Sequence, residues 1–172
     1  IVIAPSLAYM ERAYFDAKSS GWSREPIVEV LIPSVVDDSL APPGMHVASL
    51  FCQHAHPDVA SVLPGTTWDD HLMIGTVDRV APGFRASVIG RRALSPLDLE
   101  REFGLTGGDI FHGALGLDQL YATRPALGAA NYRMPVQGLY LCGAGAHPGG
   151  GVTGIPGRNA AREILRDARR RK

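Results

Sequence analysis

The sequence predicts an α+β fold: antiparallel strands with flanking helices, then one terminal strand–turn–helix. Three observations predict it. Two apolar runs, Ile27–Ile32 and His46–Cys52, face each other across a proline-rich loop, and the first is rich in β-branched residues. A helical apolar period follows Ser6. Residues 138–161 set a glycine-rich turn between the apolar run Leu139–Cys142 and a helix that heads toward Arg166.

In chain order, Ile1–Ile3 reads as a strand end. Ser6 caps a helix over residues 7–18, with Leu7, Met10, Tyr14 and Ala17 on one face. Gly21 and Pro26 close that region, and the two strands follow with antiparallel pairing across Pro33–Gly44. A loop from His54 to Thr67 carries Pro57, Pro64 and Gly65. Asp69 or Asp70 opens a helix over residues 68–80 that stops at Pro82-Gly83, and Ser87–Ile89 reads as a short strand. Ser95-Pro96 is a cap with proline at the first helical position, and Leu97–Phe103 is a short helix closed by Gly104. Residues 104–135 have many glycines and no period. Leu139–Cys142 reads as a short buried strand.

The 172 residues suffice for one domain with a core. Apolar residues make up 45% and charged residues 20%, which predicts a folded protein rather than a disordered one. A net charge of +0 argues against a dedicated nucleic-acid binder. Cys52 and Cys142 are far apart, form no CxxC, and read as small buried thiols of a reducing compartment, so a cytoplasmic location is expected. No stretch reads as a membrane span or signal peptide. No repeat or low-complexity segment interrupts the chain.

The glycine-rich turn admits several readings. Gly143-Ala144-Gly145 after a strand fits the start of a G-x-G-x-x-G fingerprint, but Pro148 stands where the third glycine belongs. Fewer than 30 residues follow, too few for further βαβ units. A P-loop is excluded because no Gly-Lys-Ser/Thr follows. The third reading is the closing segment of a flavoprotein, where a last strand returns to a dinucleotide sheet and the final helix aims its N-terminus at the flavin. Tight packing alone also accounts for many glycine-rich turns.

Leu139–Ala161 resembles the C-terminal FAD-contacting motif of the phytoene dehydrogenase-like flavoproteins, within the wider amine-oxidase-like group. The resemblance is closer to one branch, the pyridine nucleotide-disulfide oxidoreductase domain-containing protein 2 type. It is carried further by Leu40–Val47, Ala81–Phe84, Leu97–Arg101 with Phe103–Leu105, Gly107–Gly113, Leu117–Tyr121 and Arg124-Pro125. The family's N-terminal strand–GxGxxG–helix, which holds the ADP half of FAD, is absent from these residues. The resemblance therefore implies that residues 1–136 are part of a substrate-binding domain and 137–172 the C-terminal segment of an FAD-binding domain.

The intact protein would be an FAD-dependent oxidoreductase, a dehydrogenase or desaturase taking hydride from an apolar or amine-bearing substrate; this piece alone would be inactive and hold FAD weakly or not at all. By resemblance, Gly143, Ala144 and Gly145 lie along the ribityl–pyrophosphate path, and Gly149, Gly150, Gly151, Val152 and Thr153 at the pyrimidine end of the flavin. Backbone amides there, with Val152 and Thr153 as the donors, stabilise the negative charge that reduction creates. Many relatives carry an acidic residue where Ala144 stands, so any contact from that position must come from backbone.

Other residues carry weaker signals. His147 and His112 are the candidate catalytic side chains, and neither has an adjacent base or nucleophile. Asp118, Tyr121 and Arg124 read as a local cluster with a structural ion pair. His54-Ala55-His56 with Asp58 has a spacing that suits two ligands, but a metal site needs a third, and a solvated loop is the expectation. Asp69-Asp70 reads as a helix cap. Arg166, Arg169, Arg170, Arg171 and Lys172 complement the negative end of the last helix.

The alternative to an enzyme is a non-catalytic module that docks with a partner chain. The strand Leu139–Cys142, lacking neighbours in its sheet, would pair with a second copy or fray.

Overall fold

A computed structural model describes residues 1–56, 59 and 68–170. The chain divides into two compact units, Ile1–Asp98 and Leu99–Lys172.

The first unit is built on a three-stranded antiparallel sheet with β1 (Val2–Ile3) and β3 (Ser49–Ala55) on either side of β2 (Trp22–Leu31). Val28 pairs with Ile3 on one side and Cys52 on the other. Alternation along β2 divides its side chains between two faces. Val28 and Val30 pack with Val77, Leu50, Cys52 and Phe84, and Ile27 packs on the other side with Tyr9 and Ala13. Pro26 has no amide to give the ladder, and the register breaks between Trp22 and Ile27.

Helix α1 (Leu7–Ser20) begins where Ser6 accepts from the Tyr9 amide and ends at Gly21, whose φ of +81° only glycine adopts freely. Its buried stripe is not the one expected. Leu7, Met10 and Tyr14 are exposed, and Tyr9 and Ala13 face the sheet. Ala13 allows close approach: the Ser23 hydroxyl reaches its carbonyl, and the Tyr9 hydroxyl donates to the Pro26 carbonyl at 2.9 Å. Strand β3 starts three residues later than the apolar run, at Ser49. Ser34 explains the delay: its hydroxyl bonds to the His46 ring at 3.2 Å and accepts from the Val47 amide at 3.0 Å, so those residues cannot join the ladder.

Residues 68–80 are helical as expected, but include a wide turn, Asp70–Ile74, in which the Gly75 amide reaches the Asp70 carbonyl. Helix α2 (Gly75–Val80) continues it. Asp69 and Asp70 do not cap; Asp69 pairs with Arg91 at 2.9 Å, and Asp70 pairs with Arg85 and Arg91. Ser87 closes a short helix α3 (Phe84–Ser87), and Ser87–Ile89 forms no strand. The Asp78 carboxylate explains this, because it accepts from the Gly83 and Arg85 amides and so nucleates α3. Pro57, Asp58, Pro64 and Gly65 of the expected loop lie outside the described residues.

Helix α4 (Pro96–Phe103) has the expected cap: the Ser95 hydroxyl accepts from the Asp98 amide at 3.2 Å, and the Asp98 carboxylate accepts from the Ser95 amide at 2.8 Å. Beyond it the second unit consists of tight turns and one long helix, α5 (Ile155–Arg170). Its apolar centre is Tyr132, Ala146 and Ala160, with Leu141 against them.

The terminal strand predicted at Leu139–Cys142 does not form. Tyr140 makes a single bridge to Arg133, Leu139 is half exposed, and Cys142 is exposed rather than buried. A strand requires a ladder, and among the described residues the backbone bonds of this segment run to Tyr132, Met134 and Val136. Without a ladder the segment stands frayed, one of the two outcomes expected of it. Arg171 and Lys172 lie outside the described residues.

Candidate functional site

The glycine-rich turn is held from below by one buried side chain. Arg124 is 1% exposed. Its guanidinium donates to the Ala144 carbonyl at 2.8 and 3.2 Å, to Phe111 at 3.1 Å and to Ala114 at 3.3 Å. The ion pair with Asp118 is thus replaced by a fan of carbonyl contacts. The fork geometry of guanidinium makes this possible, since its donors spread in one plane toward several acceptors.

Gly149 and Gly150 belong to the same packing. A Cβ on Gly149 would lie 3.0 Å from Leu115, and one on Gly150 would lie 2.5 Å from the Phe111 ring. These two glycines are needed by the chain's own side chains. Gly143 is different, with open space where a Cβ would stand.

Among the described residues, the N–H groups of Gly143, Ala144, Gly145 and of residues 150–154 donate to no group of the chain. Thr153 caps α5 by accepting from the Ile155 amide at 3.3 Å. Val152 is fully exposed with φ +55°, a strained conformation for a β-branched residue, and strain of this kind collects at ligand sites. Free amides ahead of the positive end of a helix favour an anionic or electron-rich group. Open space at Gly143 and unsatisfied amides on both sides of the turn fit a flavin nucleotide.

Helix α5 is fixed by a second set of contacts. Arg133 donates to Asp167 at 2.7 and 2.8 Å and to Glu163 at 2.7 Å, and the Tyr140 hydroxyl donates to Asp167 at 2.8 Å. The Arg133 hydrogen bonds, followed by that of Tyr140, hold the Asp167 carboxyl well below the usual carboxylate range. Asn159 donates to the Tyr132 hydroxyl at 2.8 Å, which donates to the His147 carbonyl at 2.9 Å. The helix and the turn are thereby one hydrogen-bonded assembly.

No family model matches the chain. Relatives do. It is 52% identical over 165 residues to pyridine nucleotide-disulfide oxidoreductase domain-containing protein 2 of Rattus norvegicus, across 92% of this chain and 28% of that protein. It is 29% identical over 128 residues to the lycopene-forming phytoene desaturase of a Paracoccus species, across 73% of this chain and 25% of the other.

The chain resembles phytoene dehydrogenase-like proteins.

A third relative, the lycopene-forming phytoene desaturase of Pantoea ananas, is 29% identical over 128 residues, across 73% of this chain and 25% of that protein. The chain spans about 28% of the length of the first of these relatives.

The glycine-rich residues singled out in the sequence gather at one turn: Gly143, Ala144, Gly145 and Gly149 to Thr153 all belong to the second unit. The candidate histidines have different surroundings. His147 accepts from the Tyr121 amide through Nδ1 at 3.2 Å and lies tilted on the Tyr121 ring, 5.1 Å between centroids. With Nδ1 accepting, the neutral ring carries its proton on Nε2. His112 is exposed in a turn held by Asp109, whose carboxylate accepts from the Phe111 and Gly113 amides. Neither imidazole has a carboxylate bonded to it among the described residues.

In the first unit, His54 packs edge-on against Tyr14 with centroids 5.7 Å apart, and its amide donates to the Ser23 hydroxyl. A cavity of about 250 Å³ is lined by Asp70, Ile74, Arg85, Val88, Ile89, Gly90 and Arg91. Its charges, Asp70 with Arg85 and Arg91, pair with one another. Among the described residues no helix is long and apolar enough to cross a membrane.

Sequence reasoning misses Arg124, Tyr132 and Asn159 as organisers of the turn. Proximity along the chain groups Arg124 with Asp118. Its carbonyl partners carry no side-chain signature and cannot be read from residue types.

Proposed function

We propose that this chain is the flavin-closing portion of an FAD-dependent oxidoreductase of the phytoene dehydrogenase-like type, acting as a dehydrogenase or desaturase. The observation that carries it is the run of unsatisfied amides from Gly150 to Gly154 ahead of α5, on a motif whose relatives are named as oxidoreductases. Residues 137–172 are read as the last segment of the FAD-binding domain and 1–136 as part of a substrate domain. A bound flavin supplies a two-electron acceptor for hydride leaving a C–H bond of an apolar or amine-bearing substrate.

The chain's residues have three tasks. Amides of Val152 and Thr153 stabilise negative charge at the edge of the bound group, aided by the positive end of α5. Gly143 leaves room for the ligand to approach backbone. The Tyr132–Asn159 and Arg133–Asp167 contacts keep the helix N-terminus fixed relative to the turn. No side-chain base is required of His147 or His112.

The test is to purify the protein in its natural reading frame and record its visible spectrum. Flavin absorbance that bleaches, without oxygen, on addition of a polyene precursor, another apolar alkene or an amine supports this reading. A flavoprotein that bleaches with none of them refutes the substrate class.

A further inference from the structure

We propose that Arg124 is a positioning residue that sets the direction of the Gly145 amide toward a phosphate of the bound nucleotide; this rests on the flavin reading above. The Ala144–Gly145 peptide is trans, so its carbonyl and its N–H point in opposite directions. Arg124 grips the carbonyl with two donors, at 2.8 and 3.2 Å. The peptide plane cannot turn without losing both. The Gly145 N–H is therefore held pointing away from the buried guanidinium, and among the described residues it donates to nothing in the chain.

The same guanidinium ties the Phe111 and Ala114 carbonyls, so residues 111–114 and the turn keep one geometry. Burying this charge at 1% exposure is costly, and its partners are carbonyl dipoles. A residue needed only to fill space would be apolar. A buried cation beneath the turn also raises the potential where an anion would sit.

Lysine keeps the charge but has a single nitrogen, which cannot span three separated carbonyls. Arg124→Lys therefore separates orientation from charge. The affinities of wild type and variant for FAD, FMN and riboflavin are measured on apoprotein. Riboflavin has no phosphate. The expected result is a loss of ~10- to 100-fold for FAD and FMN with riboflavin changed less than about threefold, the range of a hydrogen bond to a charged group.

Equal losses for all three flavins would make Arg124 a packing residue and overturn the proposal. Unchanged FAD and FMN affinity would also overturn it. If the variant does not fold, hydrogen exchange at residues 143–147 of the wild type decides: protection by FMN and none by riboflavin supports the proposal, and equal protection contradicts it. A wild type that binds none of the three flavins fails the underlying flavin reading instead.

Discussion

Cys52 and Cys142 share a side chain and differ in everything around it. Burial pushes the Cys52 thiol up to about 12, and Cys142 is exposed. A thiol whose value is raised on folding contributes stability that is intact below its unfolded value of 9.0 and is lost as pH rises toward 12. At pH near 8 a thiol reagent should label Cys142 in the native protein and Cys52 only in denaturant. Equal labelling rates would contradict the assignment. Both cysteines read as buried from their apolar neighbours, and only Cys52 comes close, because Leu139–Cys142 finds no ladder to cover it.

Local signals at this scale were legible. Ser6 and Ser95 cap the helices they precede, since a cap depends on residues two or three positions away. Ser6→Ala should cost about 1 kcal/mol in urea unfolding. Contacts between distant residues were not legible. Asp69 and Asp70 carry the same cap signature, and their Arg91 partner lies more than twenty residues on.

At the scale of elements, the Arg133–Asp167–Glu163 contacts hold α5 against residues 131–140. Asp167 has its carboxyl lowered on folding, so its contribution is complete above the ordinary carboxylate value and is lost as pH falls through the folded one. The contact should persist at about pH 4, where an ordinary aspartate is half protonated, and open only in stronger acid. A carbon NMR titration of Asp167 reads this directly; an ordinary midpoint near 4 would contradict it.

In the first unit, Leu72 is 1% exposed and packs with Val59 and Trp68. Leu72→Ala should destabilise by about 2–5 kcal/mol, read by urea unfolding. The helix over residues 68–80 was legible from its start and stop signals, Asp69-Asp70 and Pro82-Gly83. Its wide internal turn was not, because one extra residue in a turn leaves the composition unchanged.

At the scale of the whole molecule, the α+β class, the antiparallel pairing of β2 with β3 and the helix that ends the chain were all legible from apolar and β-branched runs and the turn residues between them. So was the glycine turn, since glycines at a helix entrance mark a place where backbone is exposed for contact. The division of labour within that turn was concealed. Gly149 and Gly150 face Leu115 and Phe111, and Gly143 faces open space, a distinction set by residues more than thirty positions earlier. The amides of residues 143–145 and 150–154 donate to nothing in the chain among the described residues, and the proposed function puts its weight on them rather than on His147 or His112.

Uptake of FAD by the apoprotein tests that weight most directly. Titration of FAD into the protein in its natural reading frame, followed by fluorescence quenching, should saturate at one flavin per chain and protect residues 150–154 from hydrogen exchange. A titration with no saturation, or saturation that leaves those amides exchanging as before, would contradict the account.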